Sequence, residues 1–182
     1  MSSLQWKPAL SVEDQKKVLK ARAQALAKVA ASEDPGLERI EIIEFLLAHE
    51  RYGLETRYIS EVYPLKYLTP LPCTPSFVVG VVNVRGRIVS VLDLKVFFEL
   101  PHKGLTDLDK VIILNNDTME FGILADAVLG ARLLPVRELQ PSLPTLTEVR
   151  AEYLKGVTED RLVVLDAEKI LSDKKIIVHE EV

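Results

Sequence analysis

The chain has 182 residues, 48% of them hydrophobic, which is enough to fill the core of one domain or of two small ones. Its formal net charge of −4 leaves no basic surface of the kind that holds a nucleic acid, so we expect no nucleic-acid partner. Cys73 is the single cysteine, the N-terminus has no signal-peptide pattern, and the apolar runs are shorter than the roughly 20 residues of a membrane span. We therefore expect a cytoplasmic protein without direct membrane insertion.

Residues 1–37 are predicted to form an N-terminal helical extension. Ser11 is a suitable N-cap, residues 11–31 are rich in Ala, Lys, Leu and Gln, and Asp34-Pro35-Gly36 ends the helical pattern. The apolar stripe of this helix is thin. Two interpretations stay open, an extension that lies on its own domain or in solvent, and a docking helix for a partner.

From residue 38 onward the pattern changes to short β-like runs separated by turns and two proline-rich connections. Asp93 is the predicted N-cap of a short helix, and Asn115-Asn116-Asp117 is a predicted hairpin turn. The predicted strands are 40–47, 52–56, 58–62, 78–84, 88–92, 110–115, 119–125, 127–134, 153–157 and 161–165.

A faint internal repeat connects two of these hairpins. Gly80-Val81 leads through a turn to a strand that ends before Asp93, and Gly156-Val157 leads in the same way to a strand that ends before Asp166. In each copy an Asp-capped helix is predicted to follow. The repeat matches Arg87 of the first copy with Arg161 of the second. This arrangement favours two similar small β-barrels in one chain.

Residue patterns typical of catalysis are missing from the sequence. The three histidines have no metal-ligand spacing, and Cys73 lies between Pro72 and Thr74 without a neighbouring cation that would activate it. Glycines occur singly, so no phosphate-binding loop is predicted. We expect no metal, no cofactor and no enzymatic activity.

The hairpin FVVGVVNVRGRIVSVLDL, residues 77–94, is strongly apolar but has Arg85 and Arg87 at its turn. Apolar edge strands offer backbone groups and apolar area to a partner, and arginine is common in binding hot spots. Arg85 is therefore a candidate anchor for a partner. From the residues alone, the alternative that Arg85 only keeps a turn soluble is equally good.

The run from Thr74 to Leu94 resembles the signature of the CheW family of bacterial chemotaxis adaptors. Further segments that resemble the family are Tyr52-Gly53-Leu54, Ile59-Ser60-Glu61-Val62 and Lys110–Leu114, and Tyr153–Val157 followed by Leu165–Leu171. The resemblance covers approximately residues 38 to 175.

The resemblance implies a mainly β fold of two SH3-like five-stranded β-barrels around a shared core, in a CheW-like domain spanning 38–178. Members of this family are not enzymes. They link the cytoplasmic tip of methyl-accepting chemoreceptors to the regulatory domain of a CheA-type histidine kinase, in membrane-associated receptor arrays. The resemblance implies that the barrel ends contact the kinase and that a groove between the barrels contacts the receptor.

Carried over position by position, the resemblance implies receptor contacts at Ile59, Glu61 and Arg85. Val79 and Val82 are expected to add apolar wall. Two glycines are expected to be required by the backbone conformation: Gly80, where another chain segment approaches the backbone closely, and Gly86, in a tight turn. Arg87 is expected to be structural, like its match Arg161 in the other barrel.

Two other functions stay open at this stage. The first is a CheW paralogue that serves a non-flagellar pathway, such as one for pili or development. The second is an unrelated β-barrel ligand-binding module.

Overall fold

A computed structural model describes residues 38–101, 109–141 and 151–176, all within the unit Glu38–Val182. The predicted N-terminal helix at 11–31 lies outside the described residues. All of the predicted strands are confirmed, with ends shifted by at most two residues. The strands are β1 (Arg39–Leu47), β2 (Glu50–Glu55), β3 (Ile59–Pro64), β4 (Val78–Val84), β5 (Arg87–Leu92), β6 (Lys110–Asn115), β7 (Glu120–Ala125), β8 (Ala127–Pro135), β9 (Leu154–Val157) and β10 (Leu162–Leu165).

The strands form two five-stranded sheets, so the mainly β fold class is confirmed. The first sheet has the order β8-β1-β2-β10-β9, and the second has the order β3-β6-β7-β5-β4. Neighbouring strands are antiparallel except β2 with β10 and β5 with β7, which are parallel. The second sheet is built from one continuous stretch of chain, whereas the first takes strands from both sides of that stretch.

The sheets are not closed barrels, which corrects the expectation of two complete five-stranded barrels. In each sheet, the segment after one edge strand reaches the opposite edge strand through a single backbone bridge. These bridges join Thr69, after β3, to Val81 in the second sheet, and Gln140, after β8, to Val157 in the first. Pro70 follows Thr69 and Pro141 follows Gln140. Neither bridge lengthens into a ladder, so each sheet is joined across its edges at one residue pair only among the described residues.

The internal repeat is confirmed, and it extends over the whole fold. Strands β4 and β5 lead to helix α1 (Leu94–Phe97), and β9 and β10 lead to helix α2 (Ala167–Ser172). The carboxylate of Asp93 accepts the Lys95 N–H at 2.8 Å, and that of Asp166 accepts the Lys169 N–H at 3.2 Å. The two parts of the chain, β1–β5 with α1 and β6–β10 with α2, therefore each contain five strands followed by a helix.

Strand register gives the correspondence between the two sheets. Gly122 of β7 pairs with Ile113 of β6 and with Val91 of β5. In the first sheet, Gly53 of β2 pairs in the same way with Glu44 of β1 and with Val164 of β10. Counting from these positions, Arg87 corresponds to Asp160, and Glu120 corresponds to Arg51.

The core has three parts. The largest cluster is shared by the two sheets and both helices, and it includes Phe45, Tyr52, Leu92, Ile112, Phe121, Tyr153 and Ile170. A second cluster comes from the second sheet alone and contains Val82, Val84, Val89, Val91, Val111, Ile113 and Leu124. A third cluster of five buried residues belongs to the first half of the β1 strand and to β8 and β10. Each sheet therefore has its own small core besides the shared one.

Candidate functional site

The tip of the β4–β5 hairpin is a two-residue turn. Val84 pairs with Arg87, and the turn residues Arg85 and Gly86 both have positive φ, +53° and +87°. This combination matches the right-handed twist of the strands, and Asn83 stabilises it by accepting the Gly86 N–H at 2.8 Å through Oδ1. Arginine rarely adopts positive φ, because its Cβ crowds the following carbonyl group. Arg85 is therefore held in an unfavourable backbone conformation with a side chain that is 80% exposed.

Glu61 lies next to this tip although it belongs to β3, at the opposite edge of the second sheet. Its Oε2 atom is 3.1 Å from Nη2 of Arg85, and only 19% of its side chain is exposed. The contact shows that the sheet curls until its two edges approach. The pairing of β3 with β6 shifts at Ser60, so a β-bulge directly precedes Glu61. The structure therefore brings together Glu61 and Arg85, two of the predicted site residues.

Arg87 is part of the same cluster, which the sequence did not indicate. Its Nη2 atom is 3.6 Å from Oε1 of Glu61, and its Nη1 atom forms an ion pair with Glu120 of β7. The register places Asp160, not Arg161, at the position of Arg87 in the first sheet. The matching of Arg87 with Arg161 is therefore wrong, and Arg87 contacts a predicted site residue.

The predicted apolar residues lie in different environments. Ile59 is half-buried against the shared core, and Val79 is half-buried against the core of the second sheet. Val82 is only 2% exposed, so its side chain is part of that core and is not available to a partner. Gly80 has a φ of +144°, and a Cβ built there would lie 2.3 Å from the Thr69 carbonyl oxygen.

Ile88, next to Arg87 in the chain, is an exposed apolar residue that was not among the predicted site residues. It is 67% exposed, while its neighbours Val89 and Val91 are buried. The alternation of Val89, Ser90 and Val91 was a signal for this, because Ile88 shares the outward face of β5 with Ser90. Tyr67, in the connection before the Thr69 bridge, is also exposed.

The first sheet has a separate charged cluster at its β9–β10 turn. Asp160 accepts hydrogen bonds from the Thr158 hydroxyl, from Arg132 at 3.0 Å and from Arg51 at 3.2 Å. The Thr158 hydrogen bond, followed by the two arginines, lowers the pKa of Asp160 to about 2. Arg51 and Arg132 also pair with Glu44, so four charges of alternating sign stabilise this tip.

Neither a metal cluster nor a membrane-spanning helix is found among the described residues. No group of three or more potential His, Cys, Asp or Glu ligands occurs in 38–101, 109–141 and 151–176. Within the same ranges, no helix is long and apolar enough to cross a membrane. Cys73 is an exposed free thiol.

Comparison with known proteins agrees with this fold. Residues 41–175 match the family model of the CheW-like domain. The chemotaxis protein CheW of Klebsiella aerogenes is 30% identical over 145 residues, which cover 78% of this chain and 87% of that protein. Protein FrzA of Myxococcus xanthus is 34% identical over 65% of this chain and 74% of its own length. The crystal structure of the scaffolding protein TtCheW from Thermoanaerobacter tengcongensis superposes with a TM-score of 0.63 and 29% identity, covering 70% of this chain and 84% of that one. A family match over this much of the sequence shows that the chain belongs to the CheW-like family of chemotaxis coupling proteins.

Proposed function

We propose that this protein is a non-enzymatic adaptor that couples the cytoplasmic tip of chemoreceptors to a CheA-type histidine kinase. Its place would be the cytoplasmic side of receptor arrays, where protein partners hold it. The CheW-like domain over residues 41–175 supports this proposal, and it also removes the alternative of an unrelated β-barrel ligand-binding module.

The receptor-binding surface that we propose consists of Ile59, Glu61, Val79 and Arg85, with Gly80 and Gly86 shaping the backbone around it. Its main support is Arg85, an exposed arginine held at positive φ next to a largely buried carboxylate. Such a conformation costs about 1 kcal/mol or more, and an ion pair with so exposed an arginine returns little of that cost. A residue that the fold does not require at this position is best explained by binding, and arginine is well suited to bind a carboxylate on a partner helix.

Replacing Arg85 with asparagine separates binding from stability. Asparagine tolerates positive φ and is favoured before glycine in this type of turn, so Arg85→Asn should leave the unfolding free energy unchanged or raise it by up to about 1 kcal/mol. Binding of a receptor cytoplasmic fragment, measured by calorimetry, should weaken by about tenfold. Equal binding by the variant and the wild type would contradict the assignment of Arg85.

Arg161 provides a matched control for this experiment. It also has positive φ, +62°, and it lies in the β9–β10 turn of the first sheet. Arg161→Asn should therefore change stability as Arg85→Asn does, without a loss of receptor binding. A similar loss in both variants would indicate a general effect of charge rather than a site at Arg85.

Coupling itself is tested by reconstitution of the full chain with a CheA-type kinase and receptor fragments. We expect kinase autophosphorylation to change when the protein is added, and to change less with Arg85→Asn. A kinase that never responds to this protein would refute the adaptor function.

The similarity to FrzA favours a second candidate within the same family, a paralogue that serves a different chemosensory pathway. Both candidates share the proposed surface and differ in the receptor that it contacts. Parallel titrations with fragments of the receptors encoded in the same genome would separate them, because the cognate fragment should bind most tightly.

A further inference from the structure

Glu61 is paired on both of its carboxylate oxygens. Arg85 lies 3.1 Å from Oε2, and Arg87 lies 3.6 Å from Oε1. Because the side chain of Glu61 is only 19% exposed, water solvates this charge poorly. A partly buried carboxylate that loses both of its cations is destabilised.

The two arginines are held differently. Arg85 is 80% exposed at the end of the turn, so its side chain can leave Glu61 without disturbing packed structure. Arg87 is 50% exposed and forms an ion pair with Glu120 of the neighbouring strand β7, and that carboxylate also accepts a hydrogen bond from Asn115 at 3.4 Å. Arg87 therefore lies between two carboxylates, Glu61 and Glu120, whereas Arg85 reaches Glu61 from an exposed turn.

We propose that Arg87 is a positioning residue for partner binding, which keeps Glu61 paired when Arg85 turns to a carboxylate on the partner. The inference rests on the proposed receptor-binding surface and adds the chemistry of the partner group, an acidic side chain. Without Arg87, release of Arg85 would leave Glu61 as an unpaired and poorly solvated charge. With Arg87 in place, Arg85 exchanges one carboxylate for another at little cost.

Comparison with the first sheet shows which part of this arrangement is special to the site. The ion pair of Arg87 with Glu120 has a counterpart of reversed sign in Asp160 with Arg51. Glu61 pairs with Ile113 across β3 and β6, and the corresponding position in the first sheet, opposite Glu44, is Gly130. Both sheets also add a charge from an edge strand, since Arg132 of β8 lies 3.0 Å from Asp160. Among the described residues, what the second sheet has in addition is an exposed arginine of the turn, Arg85, on that edge-strand charge.

Two substitutions in one ion pair should have opposite effects on binding of a receptor cytoplasmic fragment to the full chain. Arg87→Gln leaves Arg85 as the remaining cation for Glu61 and should weaken binding by about fivefold. Glu120→Gln frees Arg87 to pair with Glu61 more fully, so binding should be equal to that of the wild type or up to about twofold tighter. If the ion pair were only structural, both variants would lose affinity equally, and that result would overturn the inference.

Arg51→Gln is the matched control, because it removes the arginine from the corresponding ion pair of the first sheet, that of Arg51 with Asp160. It should leave binding unchanged, and a loss equal to that of Arg87→Gln would show that net charge alone explains the effect and would overturn the inference. Thermal unfolding of all three variants shows whether each is folded under the binding conditions.

A double substitution separates this inference from the proposed function. In an Arg85→Asn background, Arg87→Gln should cause no further loss, since Arg87 acts through Arg85; losses that simply add would overturn the inference. If Arg85→Asn alone binds like the wild type, the proposed surface is wrong and the role of Arg87 falls with it. If Arg85→Asn loses affinity and Arg87→Gln does not, the surface stands and the inference alone is wrong.

Discussion

Gly80→Ala is expected to be one of the most destabilising single-methyl additions in the second sheet. Gly80 has a φ of +144°, a region that is nearly exclusive to glycine and costs another residue about 1–3 kcal/mol. The added Cβ would lie 2.3 Å from the Thr69 carbonyl oxygen, and real Cβ atoms essentially never approach other atoms within 3.0 Å. The segment at Thr69 must therefore move away from β4.

That movement breaks the bridge that connects the two edges of the sheet. The Thr69 N–H donates to the Val81 carbonyl at 2.9 Å, and the Val81 N–H donates to the Thr69 carbonyl at 2.8 Å. Each hydrogen bond contributes about 1 kcal/mol, so the substitution should cost about 3–5 kcal/mol in total. For a domain whose stability is about 5–15 kcal/mol, this is a large fraction.

Urea unfolding followed by circular dichroism measures this cost, and Gly86→Ala and Gly156→Ala serve as comparisons. A Cβ at Gly86 meets no atom within 4 Å, so only its φ of +87° opposes alanine, at about 1 kcal/mol. Gly156 lies beside the corresponding bridge of the first sheet, where a Cβ would be 2.9 Å from the Leu139 Cβ and 3.1 Å from the Gln140 carbonyl oxygen. An intermediate loss is expected there. A Gly80→Ala protein whose unfolding free energy matches that of Gly86→Ala would refute the reasoning.

Three other predictions concern stability. The pKa of Asp160 is about 2 in the folded protein and has an ordinary value of 3.8, so its charge stabilises the fold above about pH 4, and this contribution is lost as the pH falls from about 4 to about 2. Asp160→Asn should therefore cost about 0.5–1 kcal/mol at pH 7 and nothing near pH 2. A difference in unfolding free energy that stays constant across urea titrations at several pH values would contradict this. Lys95 is almost fully buried and pairs with Asp126, whose other oxygen accepts the Ala48 N–H at 2.7 Å, so Lys95→Ala should lower the unfolding free energy by about 2 kcal/mol. A change below about 0.5 kcal/mol would show that the pair contributes little. Val82→Ala should cost about 2 kcal/mol because it opens a cavity in the core of the second sheet, whereas Ile88→Ala should cost less than about 0.5 kcal/mol; similar losses would contradict the burial of Val82 and the exposure of Ile88.

Local sequence patterns predicted the strands and the helix caps because these depend on neighbouring residues. Alternating apolar residues set the strands, and Asp93 and Asp166 ended them and began the helices. Closure of the barrels was not predictable in this way. It depends on how far the segments that follow β3 and β8 pair with the opposite edge of their sheet, and this pairing is one isolated bridge in each sheet, at Thr69 and at Gln140.

The candidate site was predictable in its members but not in its connections. The resemblance to the family indicated Glu61 and Arg85, and the structure brings them into contact. The pairing of Arg87 with Glu61 arises from the curl of a sheet whose strands lie far apart in the chain, and no short-range pattern carries that information. Val82 was placed on the wrong face for a similar reason, because β4 is apolar on both faces and alternation gives no orientation.

Each of the two sheets is built from strands of both halves of the chain. Strands β1 and β2 of the first half join the sheet that β8, β9 and β10 of the second half complete, while β6 and β7 of the second half join β3, β4 and β5. The arrangement is that of a domain-swapped dimer whose two subunits have been fused into one polypeptide. Neither half has a complete sheet of its own, so two separately expressed halves are expected to fold only when they meet, and assembly of the domain from them should follow second-order kinetics.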